Sequence, residues 1–210
     1  DKRAAYVPHV ERMLALAGWP EPAAAAERVM ALETRIAAGH WDKVTNRDPV
    51  KTYTLVDREG LARLAPAVDW SRYLEVLEAP AHALDAVVVR QPDHLRSLSA
   101  ALLEEPVQAW RDWLAWSVVH AHAPYLPAAF VAENFDFYGR TLSGVPEMRE
   151  RWKRGVALVE DALGEAVGQL YVERHFPPHA KERMLELVDN LVEAFRQSLS
   201  TVPWMGEDTR

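Results

Sequence analysis

His175 and His179 are the one pair of histidines four residues apart in this 210-residue chain. That spacing sets two imidazoles on one helix face, where they can share a zinc ion. A hydrolytic site of this kind reads H-E-x-x-H, its Glu activating the metal-bound water. Here the run is H-F-P-P-H. No Glu lies between the histidines, and Pro177 and Pro178 break the helix on which the geometry depends, so both side chains are expected at the surface or at helix ends. His40, His82, His94 and His120 are followed neither by Glu nor by a histidine four residues on. His120 and His122 stand two apart, about 200° around a helix, and cannot converge on one ion. With no cysteine in the chain, thiolate zinc sites and cysteine nucleophiles are excluded as well. No catalytic residue, cofactor-binding residue or metal ligand is assigned.

Other patterns read as packing. Glu104–Glu105 and Glu160–Asp161 are adjacent on helices, so each pair diverges by about 100° and cannot flank one scissile bond; they are expected to be solvated. Trp110, Trp113 and Trp116 step by three along a segment that also carries Val107, Leu114 and Val118. A helix apolar over more than half its circumference is expected between neighbours rather than against a base or sugar. In N-F-D-F-Y, Asn134–Tyr138, the residues Phe135 and Tyr138 share a helix face with Val131 a turn earlier. Gly164 and Gly168 are expected to let two helices approach closely. No G-x-G-x-x-G, Walker or nucleophile-elbow pattern occurs.

The elements that would position these residues are helices. Apolar side chains recur in steps of three and four at Ala25–Ile36, again from Trp152 through Val156, Val159, Leu163 and Val167 to Leu170, and from Met184 through Val188, Leu191 and Phe195 to Leu199. Pro22, Pro92, Pro106, Pro146 and the Pro177–Pro178 pair stand ahead of such blocks, where a missing N–H costs nothing. Extension is favoured only at Lys51–Leu55 and Val87–Val89, and loops at Trp41–Pro49 and Glu78–Ala81. The fold class is therefore all-α, an array of amphipathic helices with at most short strand segments. Trp152, opening a long stripe, is expected to be buried, with Trp152→Ala costing roughly 3–5 kcal/mol. Tyr6, Val10, Met13 and Leu14 already share a helical face at the start, and Glu207–Thr209 look like the acidic start of a further helix, so the chain is expected to be incomplete at both ends.

At 49% hydrophobic the chain can bury a core without disulfides. A net charge of −7 argues against nucleic acid, which wants a basic face, and suits a neutral or basic peptide. No run reaches the ~20 apolar residues of a membrane span. Cytoplasmic and secreted bacterial locations are both compatible with a chain that forms no disulfides.

Five blocks, taken in order, add a further reading. They are L-E-T-R-I-A-A-G-H-W at Leu32–Trp41, N-R-D-P-V-K-T-Y at Asn46–Tyr53, V-V-V-R-Q-P at Val87–Pro92, the run from Arg151 to Phe176 with A-V-G-Q-L-Y-V at its centre, and W-M-G-E-D-T at Trp204–Thr209. Together they resemble the non-catalytic helical lobe of the neprilysin family of zinc metalloendopeptidases. The family usually has Asn where this chain has Thr54, and its animal members a disulfide cysteine where it has Gly155. The resemblance implies that residues 1–210 form a lobe that roofs a cavity and admits only small peptides. Cleavage and zinc would belong to a C-terminal catalytic domain beyond Arg210, the lobe's partner. The family's catalytic domain pairs substrate backbone through an Asn-Ala-aromatic-Tyr segment. Asn134–Tyr138 lies in the lobe and does not inherit that role. This chain alone is expected to hold no zinc and to be inactive. The alternative is a stand-alone, non-enzymatic helical interaction domain derived from such a lobe, and composition and periodicity fit both.

Overall fold

Steps of three and four become helix in nine segments of the computed structural model, which describes residues 2–210 apart from the side chain of Ala81. The chain is 72% helical, as the periodicity predicts. It divides into two units, one running to Met148 and the other covering Arg149–Arg210.

In the first unit α1 (Lys2–Leu16), α2 (Pro22–Ala38) and α6 (Val107–His122) enclose the core. Val10, Met13 and Leu14 of α1 meet Ala25, Ala26 and Val29 of α2 and Trp116 of α6. Small residues on α2 let it approach α1 closely, while Trp116 fills the space left between them. Around this core lie α3 (Arg58–Leu64), α4 (Trp70–Val76), α5 (Pro92–Glu104) and α7 (Ala128–Asn134). Asp57 and Asp69 cap α3 and α4, accepting from Gly60 N at 2.7 Å and Arg72 N at 2.9 Å. Pro22 and Pro92 open α2 and α5, and Pro106 stands just ahead of α6. Pro146 departs from this rule, lying in the non-helical segment before α8 (Arg151–His175) rather than at a helix start.

Both expected strands form, as β1 (Thr54–Val56) and β2 (Val87–Val89), paired antiparallel with Leu55 opposite Val88. The first begins later than Lys51. Asp48 Oδ1 accepts from Val50 N at 2.9 Å and Lys51 N at 3.1 Å, and this side-chain turn commits Lys51–Tyr53 before the ladder can start. The polar loop from Trp41 holds a single 3-10 turn, Thr45–Arg47, tied down by Asp42. At the second loop Glu78 takes a left-handed φ of 51°.

The second unit consists of α8 and α9 (Pro178–Thr201) followed by turns to Arg210. Pro178 opens α9, and Leu163, with φ −134° and ψ 18°, kinks α8. Unlike the first unit, it buries no residue. Trp152 is therefore not buried as its place on the stripe predicts. It is 63% exposed, and its indole N–H donates to Glu150. The stripe exists, but every residue on it, from Trp152 to Leu170, stays exposed. A methyl group at Gly164 or Gly168 would meet nothing within 4 Å, so the close helix approach expected there is not made. Glu207–Thr209 form one turn, closed by Arg210 N donating to Gly206 O at 3.1 Å.

Candidate functional site

The polar groups of the first unit that face inward come from four elements. α1 contributes His9, fully buried, with Arg12 one turn on. His9 Nδ1 donates to Glu133 Oε1 of α7 at 2.8 Å, and Arg12 Nε donates to Glu133 Oε2 at 2.7 Å. Because Glu133 is held ionised by two donors, the proton of the neutral imidazole sits on Nδ1, leaving Nε2 as an acceptor with no protein donor. Phe137 stacks on the ring at 4.6 Å, and Trp116 meets it edge-on at 5.5 Å. His120 stacks on Trp116 at 5.2 Å. Trp116 Nε1 donates to Tyr6 Oη at 2.9 Å, and Tyr6 Oη donates to Glu33 at 2.7 Å.

Phe137 reaches His9 because the chain after α7 widens into a π-helix, Phe135–Leu142. Thr141 Oγ1 and Ser143 Oγ each donate to the carbonyl five residues back, at 3.0 and 2.7 Å, holding the wide turns. A Cβ at Gly139 would strike the Phe135 ring, so glycine is needed where the winding brings them together. The wider turn also revises the expected face. Phe137 is the buried residue, whereas Val131, Phe135 and Tyr138 are only half-buried. Beside this turn an open groove of about 640 Å³ is floored by Ala15, Ala129 and Ala132 and rimmed by the Arg12–Glu133 and Arg140–Asp136 pairs.

A second buried group centres on Asp112 of α6, which is fully enclosed. Oδ1 accepts from Trp19 Nε1 and Gln108 Nε2, both at 2.8 Å, and Oδ2 accepts from Arg28 Nε at 2.6 Å. Burial pushes this carboxyl up. The bonds from Trp19, Arg28 and Gln108 outweigh it and hold the group below the usual carboxylate range. Glu133 behaves alike, raised by burial but carried below its ordinary value by Arg12 and His9.

Burial lowers the histidines. His9 falls below the ordinary 6.5 despite Glu133, and His120 falls for the same reason. His94 falls through burial and the His40 ring stacked 3.7 Å away. A group whose folded pKa is depressed contributes stability that is fully present above its unfolded pKa and is lost as pH falls through the folded value. The thermal midpoint is therefore expected to hold above pH 6.5 and to fall below it, each histidine contributing at most about 1.4 kcal/mol per pH unit. A second loss follows below the ordinary carboxylate range, as Glu133 and Asp112 protonate. A midpoint that rises between pH 6.5 and 5 would contradict the neutral assignment of these rings.

Neither group presents a nucleophile beside a base with room for substrate. Each ties helices together. His175 and His179 are exposed, as expected, with His175 against the Tyr171 ring at 5.0 Å. Among the described residues no group of three His, Cys, Asp or Glu could hold a metal ion. A zinc ion does not fit this pair, since the proline pair separates the rings and no third donor joins them. Nor is any helix among the described residues long and apolar enough to cross a membrane.

Two expectations need correction. Of the tryptophan stripe only Trp116 is buried, Trp110 and Trp113 being half-buried, while Val107, Leu114 and Val118 are exposed, because α6 has neighbours on one side alone. Glu104 and Glu105 are not a merely solvated pair, for both bind the Arg35 guanidinium. Glu105 has left the helix, with ψ 141°, so the 100° divergence no longer applies. Glu160 and Asp161 are exposed as expected. Sequence reasoning missed His9, Glu133 and Asp112. Among the tryptophans of α6 stand two adjacent charges, Arg111 and Asp112, and only the structure shows that Asp112 is the enclosed one while Arg111 is exposed. His9 and Glu133 meet only through tertiary structure.

Comparison with known proteins decides the family, since the model of peptidase family M13 matches residues 1–210. The chain belongs to peptidase family M13. The neprilysin-like zinc metallopeptidase resemblance is thus borne out. Endothelin-converting enzyme 1 of Rattus norvegicus is 28% identical over 190 residues, 88% of this chain and 24% of that protein. The Homo sapiens enzyme is 27% identical over the same share. Among solved structures, the Mycobacterium tuberculosis zinc metalloprotease Zmp1 in complex with inhibitor is 44% identical, with a TM-score of 0.86 over 99% of this chain and 32% of that one. Zmp1 in an open state gives 45% and 0.83 over 97% of this M13 chain. PepO of Lactobacillus rhamnosis, 19% identical with a TM-score of 0.78, shares the fold. The M13 chain thus spans 24% of the length of the curated relatives named here.

Proposed function

We propose that this M13 segment is the substrate-enclosing helical lobe of a zinc metalloendopeptidase, with zinc and the groups that cleave peptide bonds on a separate C-terminal catalytic domain. The observation that carries the reading is the match of the family's N-terminal model to the whole of residues 1–210, in a sequence that has no H-E-x-x-H. A catalytic zinc needs three protein ligands and an open position, and the exposed His175–His179 pair supplies neither a third donor nor a general base. In this reading the lobe acts by exclusion. The core of α1, α2 and α6, tied by Asp112 and by His9–Glu133, makes a stiff wall, and peptides too large to pass it are refused.

Two measurements test this. The 210-residue chain, purified alone, is expected to hold no stoichiometric zinc and to cleave no peptide. The same lobe joined to the remainder of its peptidase is expected to cleave short peptides in a chelator-sensitive manner and to leave folded proteins intact. Tightly bound zinc in the isolated chain overturns the division of labour. Equal cleavage of short peptides and large unfolded proteins by the joined form overturns the role of the lobe as a sieve.

A further inference from the structure

The loop between α2 and β1 is tied down at many points and leads into an open strand edge. Asp42 accepts from Val44 N at 2.8 Å, Thr45 N at 3.1 Å and Thr45 Oγ1 at 2.7 Å. Asn46 Nδ2 donates to Trp41 O at 3.1 Å. Trp41 N donates to Gln91 Oε1 at 2.8 Å and Trp41 Nε1 to Asp93 Oδ2 at 3.0 Å, which fastens the loop to the start of α5. A loop held this way keeps its shape, and what it shows to solvent includes Val44 and, at 82% exposure, Val50. On the ladder that follows, Leu55 and Val88 face each other across the strands and are both exposed. Alternation along a strand puts Tyr53, 62% exposed, on the side of Leu55, and Arg90 on the side of Val88.

The chain carries a net charge of −7, yet the charges free to act here are basic. Lys43, Arg47, Lys51 and Arg90 are exposed and form no salt bridge among the described residues, Asp48 alone standing near Lys51. Asp42, Asp48 and Asp57 turn their carboxylates to backbone N–H groups. Asp85 stands ahead of β2, at the end of the ladder away from Tyr53 and Arg90. β1 and β2 are the whole of their sheet, and among the described residues neither strand makes a backbone hydrogen bond outside the ladder. N–H and C=O groups are thus turned outward along its edges.

We propose that the β1–β2 hairpin and the loop that leads into it are a docking site for an extended peptide with alternating acidic and apolar side chains, which joins the ladder as a third strand. The peptide backbone satisfies the outward N–H and C=O groups, its apolar side chains lie on Tyr53, Leu55 and Val88, and its carboxylates reach Arg90 and Lys51. Basic and apolar side chains would also suit an anionic membrane surface, but a strand edge is completed only by another backbone, and that favours the peptide. A two-stranded ladder is marginal by itself and gains from a third strand. The site goes beyond the proposed function. It needs no catalytic domain, and the failure of either reading leaves the other standing.

Backbone amide NMR of the isotope-labelled 210-residue chain, titrated with a short blocked peptide in which Glu and Val alternate, tests this. Saturable shifts are expected within residues 41–57 and 85–91, the largest at Thr54–Val56 or at Val87–Val89 according to the edge that receives the strand. A peptide alternating Lys and Val is expected to bind about ten-fold more weakly, and the acidic peptide to lose about as much on the double variant Lys51→Glu, Arg90→Glu. Leu55→Asp should weaken binding as well, whereas Arg111→Glu, which reverses an exposed charge on α6, should not. Unaltered amide positions in α1, α2 and α6 report that each variant is folded. Equal binding of the acidic and basic peptides overturns the proposal, and so does the absence of saturable shifts at millimolar peptide. Phosphatidylserine vesicles that shift the same amides when the peptide does not would give the face to a membrane surface and overturn it too.

Discussion

Replacing Asp112 by Ala is expected to cost about 3–5 kcal/mol, the range for removing one partner of a buried ion pair. The carboxylate is fully enclosed and carries Trp19, Gln108 and Arg28, three donors from three stretches of chain. Without it the Arg28 guanidinium loses the carboxylate it pairs with, and the half-buried Trp19 indole N–H is left without its acceptor. Against a domain stability of about 5–15 kcal/mol, that loss unfolds a substantial fraction of molecules on warming. Asp112→Asn, which keeps an acceptor for Trp19 but not the charge, should lie between the variant and the parent. Urea denaturation followed by circular dichroism reads all three, and a loss below about 1 kcal/mol for the Ala variant would show that the hub is dispensable.

Trp116→Ala and Trp152→Ala are expected to part company. Trp116 is 2% exposed, packs against His9, His120 and Tyr6, and donates to Tyr6. Its removal deletes the largest side chain between α1 and α2 and leaves a cavity, at about 3–5 kcal/mol. Trp152, at 63% exposure with only a neighbouring Glu150 and Lys153 for company, should change the stability of the 210-residue chain by no more than about 0.5 kcal/mol. Equal losses at the two positions would mean that the second unit has a core of its own.

That contrast separates what the residues determine locally from what they do not. The helices were legible, because a helix bonds its backbone within itself and needs only favourable residues, a start and a stop. Pro22, Pro92 and Pro178 open helices where the sequence places them, and Val87–Val89 forms the strand its β-branched run predicts. The family was legible for a related reason, since ordered blocks such as A-V-G-Q-L-Y-V keep their spacing along the chain whatever covers them. Burial is another matter. Trp116 and Trp152 both sit on apolar stripes of helical period, and periodicity identifies a face without saying whether anything lies against it. The π-helical turn that brings Phe137 to His9, and the pairing of His9 with Glu133 across 124 residues of sequence, required distant segments to meet. Side chains that close a contact over such a distance carry no local signature, because each satisfies its own helix equally well with or without the partner. The sequence by itself therefore determined the helices, their ends and the lineage of this chain. Tertiary structure alone decided which of their faces became core and which stayed open.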